Sequence, residues 1–199
     1  MALPIAQLWI NGLSRSSSTN QLYDVINPGS QNVVGRAACA SSADANDAIL
    51  AAGVAQPAWE AVPARDKRAL LLKAAALIQS PAYANRFVEA VQRETGALME
   101  WAQAEVYHAA SNFSDAACAA VEVVGQTMPS ATTGGTVIVE RRPMGVVFAI
   151  SPFNSPVGLA ARAVALPIAC GNTVVLKSSE ISPLCPTILV EALHEVRPA

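Results

Sequence analysis

Charge is scarce in this 199-residue chain: 14% of its residues are Asp, Glu, Lys or Arg, and 15 acidic side chains nearly balance 13 basic ones. Nucleic-acid binding needs clustered Lys and Arg, and the Arg141-Arg142 pair is too short to supply a cluster. No nucleic-acid partner is expected. Histidine is scarcer still, with two residues, and the four cysteines (Cys39, Cys118, Cys170, Cys185) stand singly at wide spacing with no CxxC. Neither a zinc site nor a disulfide framework has the ligands it would need. No metal is therefore expected, the cysteines read as small buried hydrophobes, and a reducing cytoplasmic location is the default.

Long apolar runs are also missing. The most apolar region, residues 145 to 176, is broken by Pro152, Pro156, Arg162, Pro167 and Asn172, well short of the about 18 uninterrupted apolar residues of a membrane span. The opening MALPIAQLWINGL carries no basic stretch ahead of a compact apolar block, so it does not read as a secretion signal. Neither GxGxxG nor GxxxxGK[ST] occurs, which disfavours a first-strand dinucleotide loop of the usual kind and a P-loop kinase.

What the chain does have is apolar bulk, with 52% hydrophobic residues and a mean hydropathy of +0.34. That exceeds what a soluble monomer of this size usually needs and points to burial against a partner. The length suits one good core, or a small domain with an incomplete second one.

Residues 1–40 alternate β-prone pieces with turn formers, as in QLWING, LYDVINPG and NVVGRAACA, and read as a small meander or hairpin. From Ser41 the texture turns helical. Ser41 and Asp44 have capping-box spacing, opening a helix expected to end near Pro57. ARDKRALLLKAAALIQS places Leu71, Ala74, Ala75 and Ile78 on one face, and AYANRFVEAVQRETG is a further helix stopped by Gly96. The longest helix keeps a 3.6-residue rhythm through Val106, Ala110, Phe113, Ala117, Ala120 and Val124, with Gly125 expected to close it. Trp101 and Tyr107 read as packing residues. Thr136 to Arg142 then reads as a solvent-facing or edge strand.

The final third has another grammar. GVVFAI and NTVVLK lack polar alternation, as expected of parallel strands buried on both faces. Each precedes a helix-compatible stretch, with Pro167 kinking or ending the first and Pro183 placed for the first turn of the second. Strand, helix, strand, helix is a βαβα unit with parallel strands. The fold class is thus α/β: an N-terminal β-hairpin and helices, then the start of a doubly wound, Rossmann-like parallel sheet, truncated. Its parts are a β segment (1–40), the helical part of a cofactor-binding domain (41–125), a β segment (126–143) that is a possible oligomerisation strand, and the first, incomplete βαβα unit of a nucleotide-binding sheet (144–199).

In such sheets ligands bind beyond the carboxyl ends of the strands. The first strand runs into Ser151-Pro152-Phe153-Asn154, the second into Lys177-Ser178-Ser179-Glu180, and both turns are expected on one edge. The Glu180 carboxylate can accept from two ribose hydroxyls while Lys177 donates to one, and a carboxylate there repels a 2′-phosphate, favouring NAD over NADP. The same spacing equally describes a solvated loop pair. Asn154 offers a neutral donor for a developing oxyanion, although asparagine also suits turns for purely conformational reasons.

Residues 142–183, RPMGVVFAISPFNSPVGLAARAVALPIACGNTVVLKSSEISP, resemble the aldehyde dehydrogenase superfamily, whose block reads P-x-G-V-V, P-[WF]-N-x-P, G-N-T-V-V-x-K-x-[SA]-E-x-x-P. INPGSQNVVGRAACASSADANDAILAA, AWEAVPARDKRALLLKAA and RETG resemble its earlier segments, so the likeness covers essentially the whole chain. It is most similar to the vanillin and salicylaldehyde dehydrogenase-like group. The resemblance implies NAD-dependent oxidation of an aldehyde, an aromatic one in the group it most resembles, to a carboxylic acid by thiohemiacetal and thioester steps. It implies that Asn154 is the oxyanion donor, that Lys177 and Glu180 hold the adenosine ribose with Ser179 a further cofactor-binding position, and that Ile150, Ser151, Pro152 and Phe153 line the dinucleotide cleft. Ser178 stands where proline is common. The resemblance places the nucleophilic cysteine and the general-base glutamate beyond residue 199, and it implies homo-oligomers. A second expectation is a non-catalytic fragment that binds nucleotide weakly or associates with a longer relative.

Overall fold

The computed structural model of the chain describes residues 3–197. Five short strands come first: β1 (Ile5–Ala6), β2 (Leu8–Ile10), β3 (Leu13–Arg15), β4 (Leu22–Ile26) and β5 (Val33–Ala38). β2 and β3 form the expected hairpin, with Ile10 opposite Leu13. Its two-residue turn, Asn11-Gly12, has positive φ at both positions, the geometry that matches the twist of flanking strands. β5 pairs with β4 antiparallel and with β1 parallel.

Four helices follow: α1 (Ser42–Ala61), α2 (Ala64–Gln79), α3 (Pro81–Thr95) and α4 (Met99–Ala120). The Ser41/Asp44 capping box is complete, and Asp44 also accepts from the Ser18 backbone N–H at 3.0 Å, tying the hairpin region to α1. Contrary to the sequence expectation, α1 runs through Pro57 to Ala61. A mid-helix proline loses one backbone bond. Here tertiary bonds hold both sides of it: Thr173 Oγ1 donates to the Ala52 carbonyl at 2.9 Å and Trp59 Nε1 to the Ile168 carbonyl at 3.0 Å.

α4 also departs from expectation by stopping at Ala120 rather than at Gly125. Val121, Val123 and Val124 are β-branched and disfavour helix, and the chain turns into β6 (Gln126–Pro129), which pairs with β7 (Thr136–Val139). Gly125 serves that hairpin instead. A Cβ at this position would lie 2.4 Å from the Val139 carbonyl oxygen. Every residue of β6 and β7 is exposed.

The core is centred on α4, whose Ala102, Val106, Ala109, Ala110, Phe113, Ala116, Ala117 and Ala120 are buried. It packs with α2, α3 and α5 (Gly158–Ala169). On α5, Ala160, Ala161, Ala165 and Ala169 are buried too, so alanine meets alanine and the two helices can approach closely. Leu71, Ala74, Ala75 and Ile78 of α2 are buried as expected. Trp101 and Tyr107 are not packing residues: they are 45% and 65% exposed, on the side of α4 away from the alanine stripe, and each lies edge-on to His108.

β8 (Val146–Ile150) and β9 (Thr173–Lys177) form the expected parallel pair, with α5 between them in sequence and α6 (Leu184–Glu195) after. α5 continues past Pro167 to Ala169, where the Pro167 carbonyl accepts from both the backbone and side-chain nitrogens of Asn172. The expectation of burial on both faces fails for both strands: no residue of β9 is buried, and β8 is buried at a single position. Ala149 is buried, but Val146, Phe148 and Ile150 are exposed. α5 packs against the pair, and α1 meets it through Thr173 and Val146 without covering Phe148 and Ile150. The result is an apolar cleft of about 800 Å³ bounded by Phe148, Val175, Ala52, Trp59 and Leu193.

Candidate functional site

The parallel register sets Ile150 opposite Lys177, and the Ser151 N–H donates to the Lys177 carbonyl at 3.1 Å. Both turns therefore leave the same edge of the sheet. In the first, Ser151 is buried, Pro152, Phe153 and Asn154 are exposed, and Pro156 and Val157 are buried again. An anchored strand end and an anchored helix start thus hold three residues out into solvent.

In the second turn, Lys177 Nζ donates to Glu180 Oε2 at 3.2 Å and to the Ser178 carbonyl at 3.0 Å. Their side chains are 54% and 72% exposed. The pair is preformed and solvated. The backbone N–H of Glu180, and then the Lys177 ammonium, hold the Glu180 carboxyl below its usual range. Ser179 is buried, and its hydroxyl accepts from the Ile181 N–H at 3.2 Å. The Ser151 and Ser182 hydroxyls are buried without a partner among the described residues.

Two buried glutamates that motif reading passed over bind the starts of the helices that follow these turns. Glu105 of α4 is fully buried. It accepts from the N–H groups of Val157 at 3.1 Å and Gly158 at 3.0 Å, and from the Ser155 hydroxyl. Glu94 of α3 does the same for the next helix, accepting from Leu184 N–H at 2.8 Å and Cys185 N–H at 3.2 Å. Burial pushes the Glu94 carboxyl up to about 7, against the lowering by those donors. Each βα turn of the sheet thus ends on a helix whose first free N–H groups are already bound to an internal carboxylate.

Helix N-termini are ready-made anion sites. Here both are filled from within, which agrees with the absence of a glycine-rich phosphate loop in the sequence. The one signal that could have found these glutamates was their setting. Glu105 adjoins Val106 on an alanine-rich stripe, and Glu94 immediately precedes the Thr95-Gly96 stop, both places where an unpaired charge would be costly.

β4 borders the same region. Burial, and then the charges of Glu180 and Glu94, push the Tyr23 hydroxyl up to about 12. Beside the Asn154 turn, His108, Ser111, Asn112, Ser155 and Arg162 line a polar recess of about 310 Å³. The cysteines correct another expectation. Cys39, Cys118 and Cys170 are exposed, and Cys185 alone is buried. Burial, and then the Glu94 charge, push the Cys185 thiol up, the reverse of what a nucleophile needs.

The aldehyde dehydrogenase family profile matches residues 14–198. The chain belongs to the aldehyde dehydrogenase family. It is 41% identical over 188 residues to the vanillin dehydrogenase of Pseudomonas sp. strain HR199, covering 94% of this chain and 38% of that protein. Among solved structures, a salicylaldehyde dehydrogenase from Pseudomonas putida G7 complexed with salicylaldehyde superposes with a TM-score of 0.93 at 34% identity, covering 97% of this chain and 40% of that one. An NAD-dependent benzaldehyde dehydrogenase from Corynebacterium glutamicum gives 0.91 at 31% identity, covering 98% and 41%. An NADP-dependent glyceraldehyde-3-phosphate dehydrogenase from Bacillus halodurans complexed with NADP gives 0.90 at 33%, covering 96% and 41%. The chain spans about two fifths of the length of these relatives. Their names include both dinucleotides, and the fold is the N-terminal part of the aldehyde dehydrogenase fold. No helix among the described residues is long and apolar enough to cross a membrane.

Proposed function

We propose that this chain carries the oxyanion donor and the adenosine-ribose grip of a dinucleotide-dependent enzyme that oxidises an aromatic aldehyde to its acid. The observation that carries the reading is the shared rim: one β-sheet edge presents both the Asn154 turn and the Lys177–Glu180 pair. The relatives named for vanillin, salicylaldehyde and benzaldehyde support the aromatic substrate class.

The described residues fit part of a dinucleotide. Glu180 is open to accept from the two hydroxyls of the adenosine ribose, Lys177 to donate to one, and Ile150 to Phe153 form the adjoining wall, with Ser179 holding the turn behind them. The pyrophosphate finds no helix N-terminus here, since Glu94 and Glu105 occupy both. When bound, the nicotinamide would accept the hydride. Before that transfer, as attack on the carbonyl gathers negative charge on the substrate oxygen, Asn154 would offer it a neutral donor, and a neutral amide does so across the whole working pH range. The polar recess beside it admits the ring end of the aldehyde.

NAD is the preferred dinucleotide in this reading, because a 2′-phosphate would be set against the Glu180 carboxylate. Isothermal titration of the chain with NAD and NADP tests it. The wild type should bind NAD more tightly, Lys177→Ala should weaken NAD binding, and Glu180→Ala should move the NAD/NADP ratio toward NADP by about tenfold. Equal affinities in all three proteins would overturn the ribose assignment. The exposed face of β8 and the apolar cleft favour a further element: association of this chain with more polypeptide, in which the exposed β6–β7 hairpin is the proposed contact between protomers.

A further inference from the structure

The Asn154 turn is held by more than its own sequence, and we infer that Glu105 is the positioning residue that fixes where Asn154 points. This deepens, and rests on, the assignment of Asn154 as the oxyanion donor. The turn has two anchors. At one end Ser151 N–H is bound to the Lys177 carbonyl at 3.1 Å; at the other, Ser155, Val157 and Gly158 all bind the one Glu105 carboxylate. Ser155 directly follows Asn154, so the carboxylate grips the residue next to the donor.

The rest of the grip also comes from α4. Asn112 Nδ2 donates to the Gly158 carbonyl at 3.3 Å and to the His108 carbonyl at 2.8 Å. A Cβ on Gly158 would stand 3.1 Å from Ser155 Oγ, 3.3 Å from His108 Cβ and 3.5 Å from Glu105 Oε1, so the first turn of α5 lies against α4 with no room to spare. Glu105, His108 and Asn112 fall at helical spacing on one side of α4. α4 carries the central buried stripe of the core, and through this side it transmits core rigidity to an exposed asparagine. A preorganised donor is worth more than a mobile one because no reorganisation is needed as charge develops.

Nuclear magnetic resonance of the whole chain separates a positioning role from a merely structural one. In the wild type the backbone order parameters of Phe153 to Ser155 should match those of the rigid helices, about 0.85. Glu105→Ala should drop these residues below about 0.6 while amides inside α4 and α5 stay protected from exchange. Glu105→Gln, which keeps an acceptor oxygen, should restore much of the order. Ser155→Ala keeps Glu105 and its backbone bonds, so it should loosen the turn partly even if Glu105→Ala fails to fold. Unchanged order in a folded Glu105→Ala, or in Ser155→Ala where the former does not fold, would overturn the inference. So would uniform loss of order across α4 and α5 without rescue by Glu105→Gln. Dinucleotide titration of the same samples is scored separately: a turn that loosens as expected in a chain that binds neither NAD nor NADP supports the Glu105 role and sinks the reading of function.

Discussion

Replacing Glu94 by Gln should flatten the pH dependence of this protein's stability between pH 5 and 8. Glu94 is 3% exposed, and desolvation carries its carboxyl from 4.5 to about 7 despite the lowering effect of its bonds to Leu184 and Cys185. The unfolded chain releases the proton near the ordinary value and the folded chain holds it to near neutrality. Below pH 4.5 both states are protonated and the contribution is fully present; it is lost as pH rises from 4.5 to 7. The rise from 4.5 to about 7 corresponds to about 3 kcal/mol lost across that window. Gln cannot ionise, so its contribution is constant. It retains one acceptor oxygen for the two N–H groups, and turning its amide donor toward the other should cost about 1–3 kcal/mol. The mutant should therefore be the less stable protein at pH 5 and should match or exceed the wild type at pH 8. Urea denaturation followed by circular dichroism at pH 5, 6, 7 and 8 measures the difference directly. Asp44 and Glu180 do not confuse the result, because both are held below their usual range and lose their contribution at more acidic pH. A wild-type minus mutant difference that stays constant from pH 5 to 8 would refute desolvation as the controlling effect.

Further outcomes follow from packing and backbone geometry. Phe113→Ala should cost about 3–5 kcal/mol in the same assay, since Phe113 is fully buried on the central helix. Ala161→Leu should cost about 1–3 kcal/mol by overpacking the alanine-lined contact between α4 and α5. Gly171→Ala should cost about 1–2 kcal/mol, because Gly171 has φ +88° and its Cβ would meet Pro143 Cγ at 3.4 Å; Cys170→Ala, next in sequence but exposed, should leave the denaturation midpoint unchanged.

Local chemistry made much of this architecture readable in advance. Ser41 and Asp44 opened α1 because capping is settled within four residues, and Gly96 closed α3 through its left-handed φ of 70°. The βα turns were legible because apolar runs ending in Ser-Pro and Lys-Ser allow few other structures. Most of the failures turned on contacts distant in sequence, whereas α4 stopped early for a local reason, its β-branched Val121, Val123 and Val124. α1 crosses Pro57 because Thr173 and Ile168 bind it from the sheet side. Phe148 and Ile150 looked buried because apolar runs suggest coverage on both faces, and coverage depends on other elements. Glu94 and Glu105 were invisible as site residues because their ligands are backbone N–H groups about 50 to 90 positions away, and no side-chain motif records a backbone donor.

Those two glutamates also bear on how a dinucleotide could be held. A glycine-rich turn leaves the first helix N-terminus free for a pyrophosphate and lets the ligand complete it. In this chain the protein completes both helices itself, so the rim is rigid before any ligand arrives and the strongest backbone anion sites are spent on internal carboxylates. Recognition on this rim then falls to Lys177 and Glu180, whose exposure leaves them screened by water and salt. Nucleotide binding by the chain alone should accordingly be weak. Adenosine and ADP should compete with NAD about equally well, since the pyrophosphate has no helix seat here and the ribose provides the grip. Competition by ADP far exceeding that by adenosine would mean that the described residues hold phosphate after all, and that the ribose does not provide the main grip.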